Sequence, residues 1–132
     1  MMNQMNNVSQ VQQINRGDIY LANLPGGIGS EQSSMRPVVV LQNNMGNKYS
    51  PTISVIPLTS RISKKYQPTH VTLHNTKCLS TLSIALAEQV TTISKERLSR
   101  YIGIVNHADL LECEQALMVQ LGIRNVNRVQ YA

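Results

Sequence analysis

The sequence contains no tryptophan and no phenylalanine, and its only aromatic residues are five tyrosines. A folded core must therefore be built from aliphatic side chains. Charge is also scarce: 14% of the 132 residues are charged, against 42% hydrophobic. That apolar content argues against a chain disordered throughout. No apolar run exceeds four residues, the length of Val38–Leu41 and of Ile84–Ala87, whereas a helical membrane span needs roughly 20. No membrane association is expected. The N-terminus lacks the basic start and apolar stretch of a secretory signal. The two cysteines, Cys78 and Cys113, form neither a CxxC pair nor a metal-ligand spacing. They are expected as reduced thiols, and the protein as cytoplasmic.

Acidic residues are scarcest where basic ones collect. The net charge of +5 arises within the first 80 residues, where seven Lys and Arg face only Asp18 and Glu31; beyond residue 80, five basic residues balance five acids. A basic region of this kind favours a polyanionic partner, nucleic acid first. A two-metal nuclease needs several converging carboxylates, and this half of the chain does not supply them. His70 and His74 have the even spacing that places side chains on one strand face, but no third ligand is evident, so no metal is expected. No Walker loop is present. Gly26-Gly27-Ile28-Gly29 resembles a phosphate-cradling loop only loosely, because no helix follows it.

Residues 1–15 form a polar, uncharged segment expected to be a mobile arm, 16–123 a single domain, and 124–132 a short tail. Within the domain, Asp18–Leu24, Pro37–Leu41, Thr52–Leu58, Thr69–Leu73, Leu82–Val90 and Tyr101–Val105 read as strands. Asn43–Pro51 reads as a turn, and Pro57 marks an edge or bulge. Ser94 can cap a short turn through Leu98. Asn106 caps a helix whose Leu110, Cys113, Leu117 and Leu121 form one apolar stripe, and Gly122 ends it. Short strands in an aliphatic chain closed by one amphipathic helix predict a mainly β fold with a C-terminal helix, a small β-barrel or half-barrel, and a closed barrel would protect its edges.

A basic protein without a metal can still cut RNA, because the substrate brings its own nucleophile, the ribose 2′-OH. Holding that hydroxyl in line with the phosphorus exploits a high effective molarity. The protein must then stabilise charge on the phosphoryl oxygens and assist proton movement. Arg36 suits the stabilising role, because its planar fork matches phosphate geometry, and preceding Pro37 biases its backbone to an extended form. Thr59 stands at the matching end of the next strand, and Arg61, Lys64 and Lys65 follow as a phosphate track. Spacing alone favours the blander reading, Arg36 as a strand-end residue covering apolar surface and Thr59 as a turn residue.

Several motifs bear on that choice: Arg16-Gly17-Asp18-Ile19-Tyr20, Gly29-Ser30-Glu31-Gln32, Arg36-Pro37-Val38-Val39-Val40, Gln42-Asn43, Gly46-Asn47, Ser50-Pro51-Thr52, Pro68-Thr69-His70-Val71 and Ala87-Glu88-Gln89-Val90-Thr91-Thr92-Ile93. In order and spacing they resemble the MazF/PemK family of toxin endoribonucleases, closest to those of Gram-positive bacteria. The resemblance implies an SH3-like β-barrel of the CcdB/PemK type and a homodimer. It also implies metal-independent, cofactor-free cleavage of single-stranded RNA at a short sequence, leaving 2′,3′-cyclic phosphate and 5′-OH ends. Arg36 and Thr59 fall on the family's catalytic arginine and threonine. Ser30, Glu31, Gln32 and Gln89 fall on substrate-facing positions, and a cognate MazE/PemI-like antitoxin would silence the toxin. Glu31 or His70 could assist proton transfer, and His70 could instead make a structural hydrogen bond. Two rival readings stay open: a non-catalytic toxin of the same fold that poisons a protein target such as gyrase, and a DNA-binding regulator.

Overall fold

A computed structural model describes residues 13–26, 34–61 and 65–124. The remaining residues, which include 1–12 of the expected arm, most of the glycine-rich loop and most of the tail, lie outside the described part; of the arm's last three residues, Ile14 is buried in the core. Among the described residues, seven strands and two helices follow one another as β1 (Asp18–Leu24), β2 (Ser34–Val40), α1 (Asn44–Tyr49), β3 (Thr52–Thr59), β4 (His70–Thr72), β5 (Ile84–Leu86), β6 (Thr91–Ser94), β7 (Leu98–Ile104) and α2 (His107–Leu121). Single turns of 3₁₀ helix at Ala87–Gln89 and Lys95–Arg97 lead into β6 and β7.

All strand pairings are antiparallel, in the order β4-β5-β3-β2-β1-β7, with β6 also paired to β3. Among the described residues β4 and β7 each keep an open edge, so of the two expected forms the sheet takes the looser, a barrel that is not closed. β3 makes the corner. It pairs with β6 from Thr52 to Val55 and with β5 from Leu58. Pro57, which has no N–H to give a ladder, lies in the gap between these two pairings.

The sheet is buried on both faces, which explains strands apolar at nearly every position. Ile19, Val39, Ile56 and Leu58 join Val71, Leu73 and Cys113 in one core under α2, while Tyr20, Ala22, Val38, Val40, Ile53 and Val55 form a second core on the opposite face. Alternate residues of β1, β2 and β3 thus serve alternate cores. Tyr101 meets buried Tyr20 edge-on, with ring centres 5.5 Å apart.

Four local expectations change. Asn43–Pro51 holds a short helix rather than a turn: Asn43 caps it by accepting the Gly46 N–H at 2.8 Å, a stabilisation that needs no apolar period. β2 begins at Ser34 because its partner β1 continues to Leu24, so Arg36 lies inside the strand and not at its entrance. Leu82–Val90 is strand only at Ile84–Leu86, and Thr91–Ser94 is a further strand that pairing with β3 creates. In α2 the inward stripe is Asp109, Cys113 and Ala116 with Leu110 and Leu117 beside it, while Leu121 is exposed.

The caps foreseen at Ser94, Asn106 and Gly122 form as expected, with Gly122 in the left-handed region at φ 67°. Asp109, 1% exposed, accepts hydrogen bonds from the Asn75 N–H at 3.0 Å, the Asn75 side-chain amide at 3.3 Å and the Thr76 hydroxyl at 2.7 Å. This fastens the segment between β4 and β5 to the start of α2. The same segment crosses β7 so closely that a Cβ on Gly103 would lie 2.6 Å from the Cβ of Cys78. Arg16 is structural as well: its guanidinium donates to the Leu41 carbonyl at 2.9 Å and pairs with Glu114 of α2 at 2.6 Å. Both cysteines are free thiols. Burial, reinforced by Asp109, Glu112 and Glu114, pushes the Cys113 thiol up to about 12.

Candidate active site

The two residues singled out on adjacent strands come together through the β2–β3 register. Val38 pairs with Pro57, and continuing that antiparallel count toward the strand ends sets Arg36 opposite Thr59. Arg36 is braced on its other side by pairing with Ala22 of β1, and Thr59 by pairing with Ile84 of β5. Both strands are interior, but the β2–β3 pairing ends at Val38 and Pro57, so each of the two residues has its backbone paired on one side. The Thr59 hydroxyl oxygen accepts the backbone N–H of Arg61 at 3.1 Å. That bond occupies a lone pair and leaves the hydroxyl proton to be donated elsewhere.

Arg36 and Thr59 line a cleft of about 360 Å3 together with Arg61, His70, Leu86, Glu88 and Gln89. The far wall is assembled by β4 and β5, where His70 pairs with Leu86. The 3₁₀ turn after β5 then carries Glu88 and Gln89 across the cleft. This turn is anchored by the Ala87 N–H donating to the Thr69 carbonyl at 2.9 Å. Nε2 of His70 is 2.8 Å from one Glu88 oxygen, and the Thr69 hydroxyl donates to the other at 2.9 Å. Burial pushes the Glu88 carboxyl up, but hydrogen bonds from His70, from its own backbone N–H and from Thr69, together with the charge of His70, outweigh burial. The net effect holds the group below the ordinary carboxylate value.

Of the residues expected to bind substrate, Arg61 and Gln89 share the cleft with Arg36 and Thr59. Lys65 lies in a neighbouring groove of about 340 Å3 that shares only His70 with the cleft. Ser30, Glu31, Gln32 and Lys64 lie outside the described residues. His70 is on β4 and His74 in the turn beyond it; both line the neighbouring groove. Among the described residues no three His, Cys, Asp or Glu side chains come close enough to hold a metal. A cavity of about 380 Å3 also opens beside Thr59, floored by Leu21, Pro37, Leu58 and Ile102, with Arg100 at its side. Among the described residues it is lined by no carboxylate and no imidazole, whereas the cleft carries both in Glu88 and His70.

Sequence reasoning missed Glu88 as the partner of His70. The two are 18 positions apart, and only β4–β5 pairing joins them. The available signal was a carboxylate in a stretch nearly devoid of acids. Taken together, the cleft offers two guanidinium groups for an anion, an oriented hydroxyl donor, and one imidazole–carboxylate pair able to exchange protons.

Residues 15–121 match the family model described as PemK-like, MazF-like toxin of type II toxin–antitoxin systems. The chain is 43% identical over 113 residues to endoribonuclease MazF of Staphylococcus epidermidis, an alignment covering 85% of this chain and 94% of that protein. Among solved structures it is similar to MazF from Deinococcus radiodurans, with a TM-score of 0.70, 26% identity, and coverage of 83% of this chain and 97% of the other. It is also similar to a chain of the MazE–MazF complex from the same organism, with a TM-score of 0.68, 26% identity, and coverage of 85% and 98%.

Proposed function

The chain belongs to the PemK-like, MazF-like toxins of type II toxin–antitoxin systems and is an endoribonuclease of that family; from that membership we propose that it cuts single-stranded RNA without a metal. The observation that carries this reading is the convergence of Arg36, Thr59 and the His70–Glu88 pair on one cleft. In the proposed reaction the ribose 2′-oxygen bonds to the adjacent phosphorus and the bond to the 5′-oxygen breaks. The products are a 2′,3′-cyclic phosphate and a 5′-OH, and no water is consumed.

Arg36 neutralises the charge that gathers on the non-bridging oxygens, for which a fixed, two-pronged cation is well suited. Thr59, its oxygen held by the Arg61 N–H, donates its hydroxyl to the same group. A guanidinium holds its proton tightly and is a poor proton carrier. The proton leaving the 2′-OH and the proton reaching the 5′-oxygen are therefore assigned to the His70–Glu88 pair. Arg61 and Gln89 hold the flanking backbone, and Ser30, Glu31, Gln32, Lys64 and Lys65 extend the substrate path.

The protein acts as a homodimer in this proposal: Leu111, Val119 and Leu121 of α2 are exposed apolar residues that a second copy would cover. The silencing partner is a MazE/PemI-like antitoxin whose acidic segment, disordered alone, competes with RNA for the basic cleft. Residues 16–123 constitute the toxin domain.

The test is cleavage of single-stranded RNA in excess EDTA, with the new ends mapped. Discrete cuts carrying cyclic phosphates are expected. Absence of cleavage, or cleavage abolished by EDTA, overturns the proposal.

A further inference from the structure

RNA-binding surfaces commonly stack unpaired bases on aromatic rings, and this chain has few rings to offer. Of its five tyrosines, Tyr131 lies outside the described residues and Tyr20 is fully buried. Tyr101 packs edge-on against Tyr20. Tyr49 has the Lys48 ammonium over its ring, 5.3 Å from the centre. Tyr66 is different: it is 84% exposed and lines the groove next to the catalytic cleft.

That groove, about 340 Å3 in volume, is bounded by Lys65, Tyr66, Gln67, His70, His74 and Glu112. His70 lines both the groove and the cleft. A polynucleotide whose scissile phosphate sits between Arg36 and Thr59 must leave the cleft somewhere. The exit over His70 leads onto a surface with a lysine at residue 65 and an open aromatic face at residue 66. The groove has volume near the lower end of small-ligand sites, which run to about 300 Å3 and above. A cation beside an exposed ring matches a nucleotide's two halves, anionic backbone and planar base.

We propose that Tyr66 is a base-stacking platform, on which the base of a nucleotide flanking the cleavage site lies after the strand crosses His70. The inference rests on the ribonuclease reading above. It makes Tyr66 a residue of substrate affinity with no part in the chemical step. Stacking tolerates any base, so Tyr66 holds the strand without choosing its sequence.

The test uses the full chain and a single-stranded RNA whose cut site has been mapped. Tyr66→Ala is expected to raise KM about tenfold or more, the usual scale of one lost base–aromatic stack, with kcat within about twofold of the parent by the same argument. Tyr66→Phe, which keeps the ring, is expected to match the parent. Because the chain has no tryptophan, Tyr66→Trp introduces a single indole. Its fluorescence should be quenched when the same RNA binds with a 2′-deoxy substitution that blocks cleavage. Unchanged KM in Tyr66→Ala, or an indole indifferent to RNA that demonstrably binds, overturns the proposal. So does a Tyr66→Ala variant that cleaves normally but loses its antitoxin, which would assign the groove to the protein partner. Failure of the unsubstituted chain to cut any RNA overturns the ribonuclease reading instead, and is distinguishable from all three.

Discussion

Nε2 of His70 lies 2.8 Å from a carboxylate oxygen of Glu88, in a cleft whose other walls carry Arg36 and Thr59. The arrangement separates two jobs that one arginine cannot do well together. In the proposed reaction the guanidinium stabilises charge and the imidazole–carboxylate pair moves protons. It also links the site to the fold, because Glu88 is held by Thr69 as well as by His70.

Replacing Arg36 should affect the chemical step most. Arg36→Ala is expected to lower kcat by at least about 100-fold, comparable to loss of one oxyanion donor. Arg36→Lys should recover little, since an ammonium cannot make the two-pronged contact. Thr59→Ala should lose less than Arg36→Ala. Single-turnover cleavage of a defined RNA measures all three, and the reverse order of Arg36 and Thr59 would exchange their roles.

Glu88 also predicts a dependence of stability on acid. Its carboxyl sits below the ordinary value in the folded protein. The native state therefore gains stability that is complete above the unfolded-state value for glutamate, about 4.3, and is lost as pH falls through the lower folded value. Glu88→Gln should flatten this part of the stability curve. Urea midpoints followed from neutral pH downward should converge for the two proteins in the acid range; a constant gap at every pH would contradict the linkage.

Asp109 is a structural carboxylate rather than a catalytic one. It is buried and receives hydrogen bonds from Asn75 and Thr76. Asp109→Ala should destabilise the fold by about 2–3 kcal/mol, the range for a buried, charge-assisted set left without its acceptor. Chemical denaturation reads the loss directly, while cleavage per folded molecule should hold.

The crossing of Cys78 over Gly103 makes a packing prediction. Gly103→Ala places a methyl 2.6 Å from the Cys78 Cβ and should destabilise by about 1–3 kcal/mol through overpacking. Adding Cys78→Gly removes the obstructing carbon, so the double variant should recover part of the loss. A strictly additive pair in a double-mutant cycle would show that the contact is not the cause.

Antitoxin and substrate should exclude one another. A labelled short RNA, blocked at the 2′-OH of its cut site, is expected to be displaced by an acidic antitoxin segment, with displacement weakening as salt rises. A ternary complex of undiminished affinity would place the two on separate surfaces.

The residues themselves determined the aliphatic two-sided strands, the asymmetry of charge and the capped final helix, whereas Arg36 and Thr59 were candidates on local grounds and became the favoured pair only through the family resemblance. The local facts are β-branched runs, a cap side chain, or a proline that fixes its neighbour's backbone. The short helix after Asn43 escaped notice because a single capped turn leaves no apolar period, and β6 because its strand character comes from pairing with β3. The wall opposite Arg36 was decided only in three dimensions. His70 meets Glu88, and Tyr66 joins His70 along one groove, because β4 and β5 pair and a 3₁₀ turn redirects the chain. Long-range strand pairing is chosen by the cooperative burial of two cores, a property of the whole chain that no window of sequence contains.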